Sequence, residues 1–335
     1  MQYQKTKAVL KHTLLGAAMT AALSTSVQAR EEITVAYFLE WPTPNLYAQS
    51  TQAYEDAMGV KINWVAFDSG TAMSAAMASG DVQISFSQGI PPFVVAASAG
   101  QDLQIIDVAV AYSENDNCVV REDLEIDKTN AKELAGKEVG VPIGTAAHYG
   151  FLKQMEYFGV DTAGMKVVDM APPDAAAAFA NGNLDMVCGW GGALKRMKEH
   201  GNVLLTGAEK EAIGIKVFDA TVIPASFGDE HPELVAKFLD VTADMNSRYK
   251  QEPAAMLPTI AKAAGMDDAS ASSTLAGFSF PARDQQLSQA WLGGDLQVFL
   301  KEVADFFTKQ GTIPQARDSY DDAVNASYLQ ASSQL

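Results

Sequence analysis

Four short stretches set glycine or a small polar residue just ahead of a helical segment: Asp68-Ser69-Gly70, Ser87-Gln88-Gly89, Gly144-Thr145-Ala146 and Gly191-Gly192. The first amides of a helix have no partner inside it, and the helix dipole favours negative charge there. Several such starts meeting at one place bind an oxyanion without any basic side chain. Plain helix capping accounts for Ser, Thr, Asp and Gly at each position taken singly. The anion reading rests on all four lying at the C-terminal edge of strands, where open α/β sheets collect their ligands.

Signatures of catalysis are missing from the sequence. It has no Gly-x-Ser-x-Gly elbow, Walker loop, dinucleotide glycine fingerprint or zinc spacing. His148 stands near Thr145 and Tyr149 with no carboxylate fixed beside it, so it reads as a cleft-lining or capping imidazole rather than a general base. The other histidines, His12, His200 and His231, are too scattered to build a metal site with it. No catalytic residue, metal or cofactor is expected. Cys118 and Cys188 sit in two short apolar runs that read as strands, which leaves either a disulfide between neighbours or two isolated buried thiols.

The elements that must position these residues begin after an export signal. Lys5, Lys7 and Lys11 precede an Ala-rich apolar run over residues 13–23, and Val27-Gln28-Ala29 closes it with a small-residue cleavage pattern. That run is well short of the roughly 20 residues that span a bilayer. Residues 1–29 are therefore expected to be a signal peptide, and the remainder a soluble periplasmic protein. About 300 residues then remain, enough for two domains of about 150 each. Strand-like and helix-like stretches alternate from Glu32 onward, which implies α/β architecture with mainly parallel sheets. A second round starts near Asn117, and the chain from His231 on is largely helical cover. Crossings between two lobes are expected at about residues 111–116 and 219–225. This assigns residues 30–112 and 223–335 to lobe I and residues 113–222 to lobe II.

The formal net charge is −17, and the leader carries only positive charge, so the rest is more acidic still. Nucleic acid is a poor partner for such a surface, because binding it depends on clustered Lys and Arg. Long-range steering of an anion is equally unavailable, so any anion site must work through local amides.

Several motifs in consistent order resemble the taurine and alkanesulfonate-binding proteins. They are Val35-Ala36-Tyr37, Phe67-Asp68-Ser69-Gly70, Ala78-Ser79-Gly80-Asp81-Val82-Gln83-Ile84, Gly136-Lys137 with Val141-Pro142, Thr145 with His148-Tyr149, Pro172-Pro173, and Asn181-Gly182-Asn183-Leu184-Asp185. The resemblance runs from about residue 33 to about 245 and thins in the helical tail. It implies a type II periplasmic-binding-protein fold, two lobes joined by two hinge strands, closing on a small solute for an ABC importer. Its partners would be that solute and the importer's membrane subunits, with the chain itself a monomer.

Carried onto this chain, the resemblance makes Asp219 the carboxylate that takes a ligand ammonium and Trp190 a wall for the alkyl portion. Thr145, Ala146 and His148, with Ser87, Gln88 and Gly89 opposite, would surround the sulfonate. Asp68 and Asn115 complete the expected ligand set. The chain departs from the family in Glu40-Trp41, in the acid-rich Ser113-Glu114-Asn115-Asp116, and in Ser87-Gln88-Gly89-Ile90. Glu40 and Trp41 are expected at the mouth or wall of the cleft, where an aromatic and extra carboxylates suit a cationic group. The competing readings are a binder of another small amine or zwitterion, and an enzyme on the same fold such as a thiamine-pyrimidine synthase relative. A His148–carboxylate pair inside the cleft would favour the enzyme.

Overall fold

A computed structural model of the chain describes residues 31–332. The signal segment expected over residues 1–29 lies outside them. No helix among the described residues is long and apolar enough to cross a membrane.

Along the chain the first strands are β1 (Glu32–Phe38), β2 (Lys61–Phe67), β3 (Ile84–Gly89) and β4 (Leu103–Tyr112). Next come β5 (Asp116–Arg121), β6 (Glu138–Val141), β7 (Lys166–Asp169), β8 (Met186–Trp190) and β9 (Gly201–Val203). β10 (Phe218–Pro224) and β11 (Phe278–Ser279) follow. They build two sheets, one ordered β11-β4-β10-β3-β1-β2 and the other β7-β6-β8-β5-β9. The central strands are covered on both faces, which is why β3 is buried along its whole length and β10 from Phe218 to Ile223.

Three strands break the parallel rule, the short β11 against β4 and two that each follow a crossing. β1 is parallel to β2 and β3, and β6 is parallel to β7 and β8. β5 instead runs against β8 and β9, and β10 runs against β3 and β4. The chain leaves the C-terminal end of β4, passes through residues 113–115 and enters the second sheet at the edge facing the first. It can then only run away from that edge. The return works the same way and delivers β10. Phe218–Pro224 pairs with β4 over its whole length, so the return crossing lies before Phe218 and not within residues 219–225. The boundary expected at 222/223 moves accordingly: β10 belongs to the first sheet.

The C-terminal part is helical cover with one addition, the short β11 on the edge of β4. Its amphipathic helix Asp295–Lys309 buries Leu296, Phe299, Leu300, Val303, Phe306 and Phe307. Phe306 meets Tyr149 edge to face at 5.4 Å, and Lys309 pairs with Glu156 at 2.8 Å. Both partners lie on the helix Ala146–Phe158 beside the second sheet, so this tail serves both lobes rather than lobe I alone. Cys118 and Cys188 are register partners on β5 and β8 and are joined by a disulfide.

Candidate ligand-binding site

The strand directions decide what meets between the sheets. Phe38, Gly89, Tyr112 and Trp190 are the last residues of β1, β3, β4 and β8, while Asp116 opens β5 and Asp219 is the second residue of β10. Parallel strands end on this edge and antiparallel ones begin there, so all six are brought to one gap. Three helices start at the same place: Gly70–Ala78, Ile90–Ser98 and Ala146–Phe158. Ser69 caps the first by accepting from the Ala72 amide, and Thr145 caps the third by accepting from the His148 amide. The Ala146 and Ala147 amides precede any intrahelical acceptor and stay free for a ligand.

The gap encloses a cavity lined by Phe38, Trp41, Gly70, Gly89, Pro92, Tyr112, Thr145, Ala146, Trp190 and Asp219. It is small, about 20 Å³, room for about one or two water molecules. A solute of several heavy atoms therefore enters only when the sheets part. Gly89 is what lets Asp219 face the helix starts. A Cβ on Gly89 would lie 3.5 Å from Asp219 Oδ1 and 3.7 Å from the Ala146 methyl.

Asp219 is 3% exposed and is held by neutral donors alone. The Tyr112 hydroxyl donates to Oδ1 at 2.7 Å, and the Ser87 hydroxyl donates to Oδ2 at 2.8 Å. Trp41 Nε1 in turn donates to Ser87 Oγ at 2.8 Å, which commits the serine proton to the carboxylate. Ser87 reaches Asp219 from left-handed backbone, φ 62°, a conformation that costs a residue with a Cβ roughly 1–2 kcal/mol. Burial pushes the Asp219 carboxyl up to about 7. The bonds from Tyr112 and Ser87 hold it down and the nearby Asp116 charge raises it further. Burial, then the charges of Asp219 and Asp116, keep the Tyr112 phenol well above its ordinary pKa, so it remains a donor.

Behind this pair lies a second buried acid. Asp116 pairs in register with Trp190, and its Oδ2 is buried with no hydrogen-bond partner. Burial raises its carboxyl to about 6 against the pull of Lys210. Lys210 is 1% exposed, donates to the Asp116 carbonyl, and has its pKa lowered by burial while Asp116 and Glu114 oppose the shift.

Of the residues expected from sequence, Trp41, Gly89, Thr145, Ala146, Trp190 and Asp219 line the cavity, and Ser87 bonds directly to Asp219. Trp41 is not at the mouth: it is 2% exposed, packed against Tyr112 at 4.9 Å and Phe278 at 4.5 Å. The remaining five point elsewhere. Glu40 forms a two-point ion pair with Arg196, Oε1 to Nη1 at 2.6 Å and Oε2 to Nη2 at 3.1 Å. Asp68 is exposed in a hollow outside, beside Phe67, Pro172 and Arg196. Gln88 turns back to donate to the Gly70 carbonyl and to Ser74. Asn115 donates to the Thr274 carbonyl at 2.9 Å. His148 accepts the Gly144 amide on Nδ1 at 3.2 Å and lies 5.9 Å from the Phe307 ring. Burial lowers its pKa to about 4, so it is neutral.

The Gly191-Gly192 start also fails as an anion loop. The Gly191 amide donates to the Asn115 carbonyl and the Gly192 amide to the Glu40 carbonyl. A Cβ at either glycine would come within 3 Å of Glu40, so these glycines serve close approach of the two sheets' loops. Sequence reasoning missed Tyr112, Phe38, Pro92 and Asp116 as site residues. Three of them stand at strand ends beside the gap, a signal that needed the reversed strands to be recognised. A larger hollow behind the crossings, lined by Lys216, Phe218, Trp291 and Phe299 among others, contains no buried carboxylate.

Comparison with known proteins bears on this geometry. The NMT1/THI5-like family profile matches residues 43–269. The chain is 26% identical to the taurine-binding periplasmic protein of Escherichia coli strain K12 over 96% of its own length and 98% of the relative's. The alkanesulfonate-binding protein SsuA of Xanthomonas axonopodis pv. citri, solved with bound MOPS, superposes with a TM-score of 0.71 at 19% identity, covering 85% of this chain and 94% of that one. The desulfurization enzyme DSZB shares the fold at a TM-score of 0.58 and 16% identity, covering 90% of this chain and 99% of that one. The α/β fold of two lobes is thus that of periplasmic binding proteins of the SsuA type, a fold that enzymes also use.

Proposed function

The chain belongs to the NMT1/THI5-like family, and from that premise we propose that it is the periplasmic solute-binding protein of an ABC importer, closing its two lobes on taurine or a related amino-sulfonate or sulfinate. The observation that carries this is Asp219, a carboxylate buried between the sheets with hydroxyl donors and no cationic partner among the described residues. A buried ionised acid without a counter-ion is costly. A ligand ammonium supplies the counter-ion, and the ligand's own anion then meets the helix starts at Gly70 and Ala146. Neutral donors are sufficient there, since a lysine or arginine in the cavity would compete for Asp219. The taurine-binding relative supports the same class of ligand.

Capture then follows from the cavity's size. The open molecule admits the solute, Asp219 and the helix amides orient it, and closure brings Trp190 from the second sheet against Phe38 from the first, rings 6.0 Å apart. Delivery to membrane subunits requires the reverse opening. The enzyme alternative lacks its reagents among the described residues. His148 has no carboxylate hydrogen bond, and both cysteines are consumed in the disulfide.

A thermal-shift screen of taurine, hypotaurine, alkanesulfonates, betaines and polyamines tests the reading. A ligand at about 100 times its dissociation constant stabilises the native state by roughly 2.7 kcal/mol. Stabilisation by amine-bearing sulfonates is the expected result, and silence from every amine and sulfonate overturns it.

A further inference from the structure

We propose that the ligand's nitrogen is N-methylated, so that the site selects a methylated ammonium sulfonate over the primary amine. This inference rests on the amino-sulfonate reading and sharpens its cationic end. Four of the lining residues are aromatic, and they come as two crossed pairs, one on the first-sheet side of the gap and one spanning it. Trp41 and Tyr112 meet at 4.9 Å and 79°, and Phe38 and Trp190 at 6.0 Å and 62°. Asp219 is the one side chain among the lining residues that carries formal charge. Trp41 is held by its bond to Ser87 and by packing on Tyr112 and Phe278, so its indole forms a packed wall of the gap.

Hydrogen-bond capacity points the same way. A primary ammonium brings three N–H donors that need acceptors once buried. Each Asp219 oxygen already accepts one hydroxyl, which leaves one lone pair on each, two for three N–H donors. Thr145 Oγ1 donates to the Pro142 carbonyl and accepts the His148 amide, and the Gly70 carbonyl accepts from Gln88. The Gly89 carbonyl, at a helix N-cap, belongs to the first helical bond. The lining is thus rich in aromatic surface, and the two lone pairs left on Asp219 cannot accept from all three N–H donors. Methyl groups on nitrogen replace unmatched N–H donors with apolar surface while keeping the positive charge. Rings around such a cation gain both burial and attraction to their faces, with Asp219 as the counter-ion.

The test is calorimetric titration of the purified protein with taurine, N-methyltaurine and N,N,N-trimethyltaurine. The best methylated form should bind about tenfold or more tightly than taurine. Taurine binding as tightly as every methylated form overturns the methyl preference and leaves the amino-sulfonate reading standing. Failure of all three to bind overturns both. Trp190→Leu, with fold checked by circular dichroism, should cut binding of the methylated ligand more than binding of taurine. A preference unmoved by that substitution also defeats the proposal.

Discussion

Glu40 and Asp219 both stand on the edge of the first sheet that faces the second, one just past the end of β1 and the other at the start of β10. Glu40 is partly exposed and satisfied by the guanidinium of Arg196 across the gap. Asp219 is enclosed and bonded only to hydroxyls. A carboxylate with a built-in cation holds protein to protein. One that has been desolvated and given neutral donors has charge left over for something else. Position relative to the cavity, and not residue type, separates the Glu40 clasp from the carboxylate proposed to meet a ligand.

The largest break in that contrast comes from Asp219→Asn, which keeps shape and removes charge. Affinity for an ammonium-bearing ligand should fall by roughly 2–5 kcal/mol, the range for truncating a buried charge pair. Calorimetry on a variant with unchanged circular dichroism measures it, and undiminished affinity would end the assigned role of Asp219.

Acidity comes next. The folded Asp219 carboxyl lies at about 7 against an ordinary 3.8. An ammonium ligand needs it ionised, so affinity should fall as pH drops from 8 to 5, by up to about tenfold per unit in the limit. The unliganded protein should do the opposite. A raised carboxyl pKa means the folded state holds its proton more tightly, so this group's contribution to stability is present at low pH and is lost as pH rises from about 4 through about 7. Asp219→Asn should flatten both slopes, and a slope that survives in the variant assigns the titration to another group.

Trp41→Phe sharpens the comparison from the inside. It deletes the bond to Ser87 and frees the serine hydroxyl to turn from the carboxylate, a loss of about 1 kcal/mol. Ligand titration should show a several-fold weakening. Glu40→Gln should matter least: pairs this exposed contribute about 0–1 kcal/mol, read as a modestly faster ligand off-rate in stopped flow. A loss as large as that of Asp219→Asn would mean that Glu40 touches the solute.

Much of the fold was legible because strand and helix periodicities alternate over the whole region from Glu32 to Cys188. The reversed directions of β5 and β10 were not, since hydrophobic pattern carries no information on strand direction. That gap explains why the residues at these strand ends were not legible as neighbours of the cavity. Asp116 and Tyr112 looked like parts of a crossing, and the return crossing was placed inside β10. The capping signals were legible as local structure but not as function. Thr145 and Gly191 look alike on paper, yet one helix start keeps free amides facing the cavity while the other donates them to Asn115 and Glu40. What distinguishes them is the neighbouring chain that arrives from the other sheet, which no local window contains. Trp41 was noticed as an unusual residue, but its burial came from packing on Phe278, over two hundred residues away.

The Cys118–Cys188 bond has a consequence for the unfolded chain rather than the folded site. It closes a stretch of 70 residues that includes β6, β7 and the helix begun by Thr145. Closing a loop of that length removes entropy from the disordered state worth roughly 4 kcal/mol in the chain-entropy model. The closed stretch supplies strands to the second sheet and none to the first, whose strands are contributed from both sides of the loop. The two halves of the molecule are therefore insured unequally. When the chain loosens, the half carrying Trp190 keeps two of its strands tied together, and the half carrying Asp219 has no such tie among the described residues.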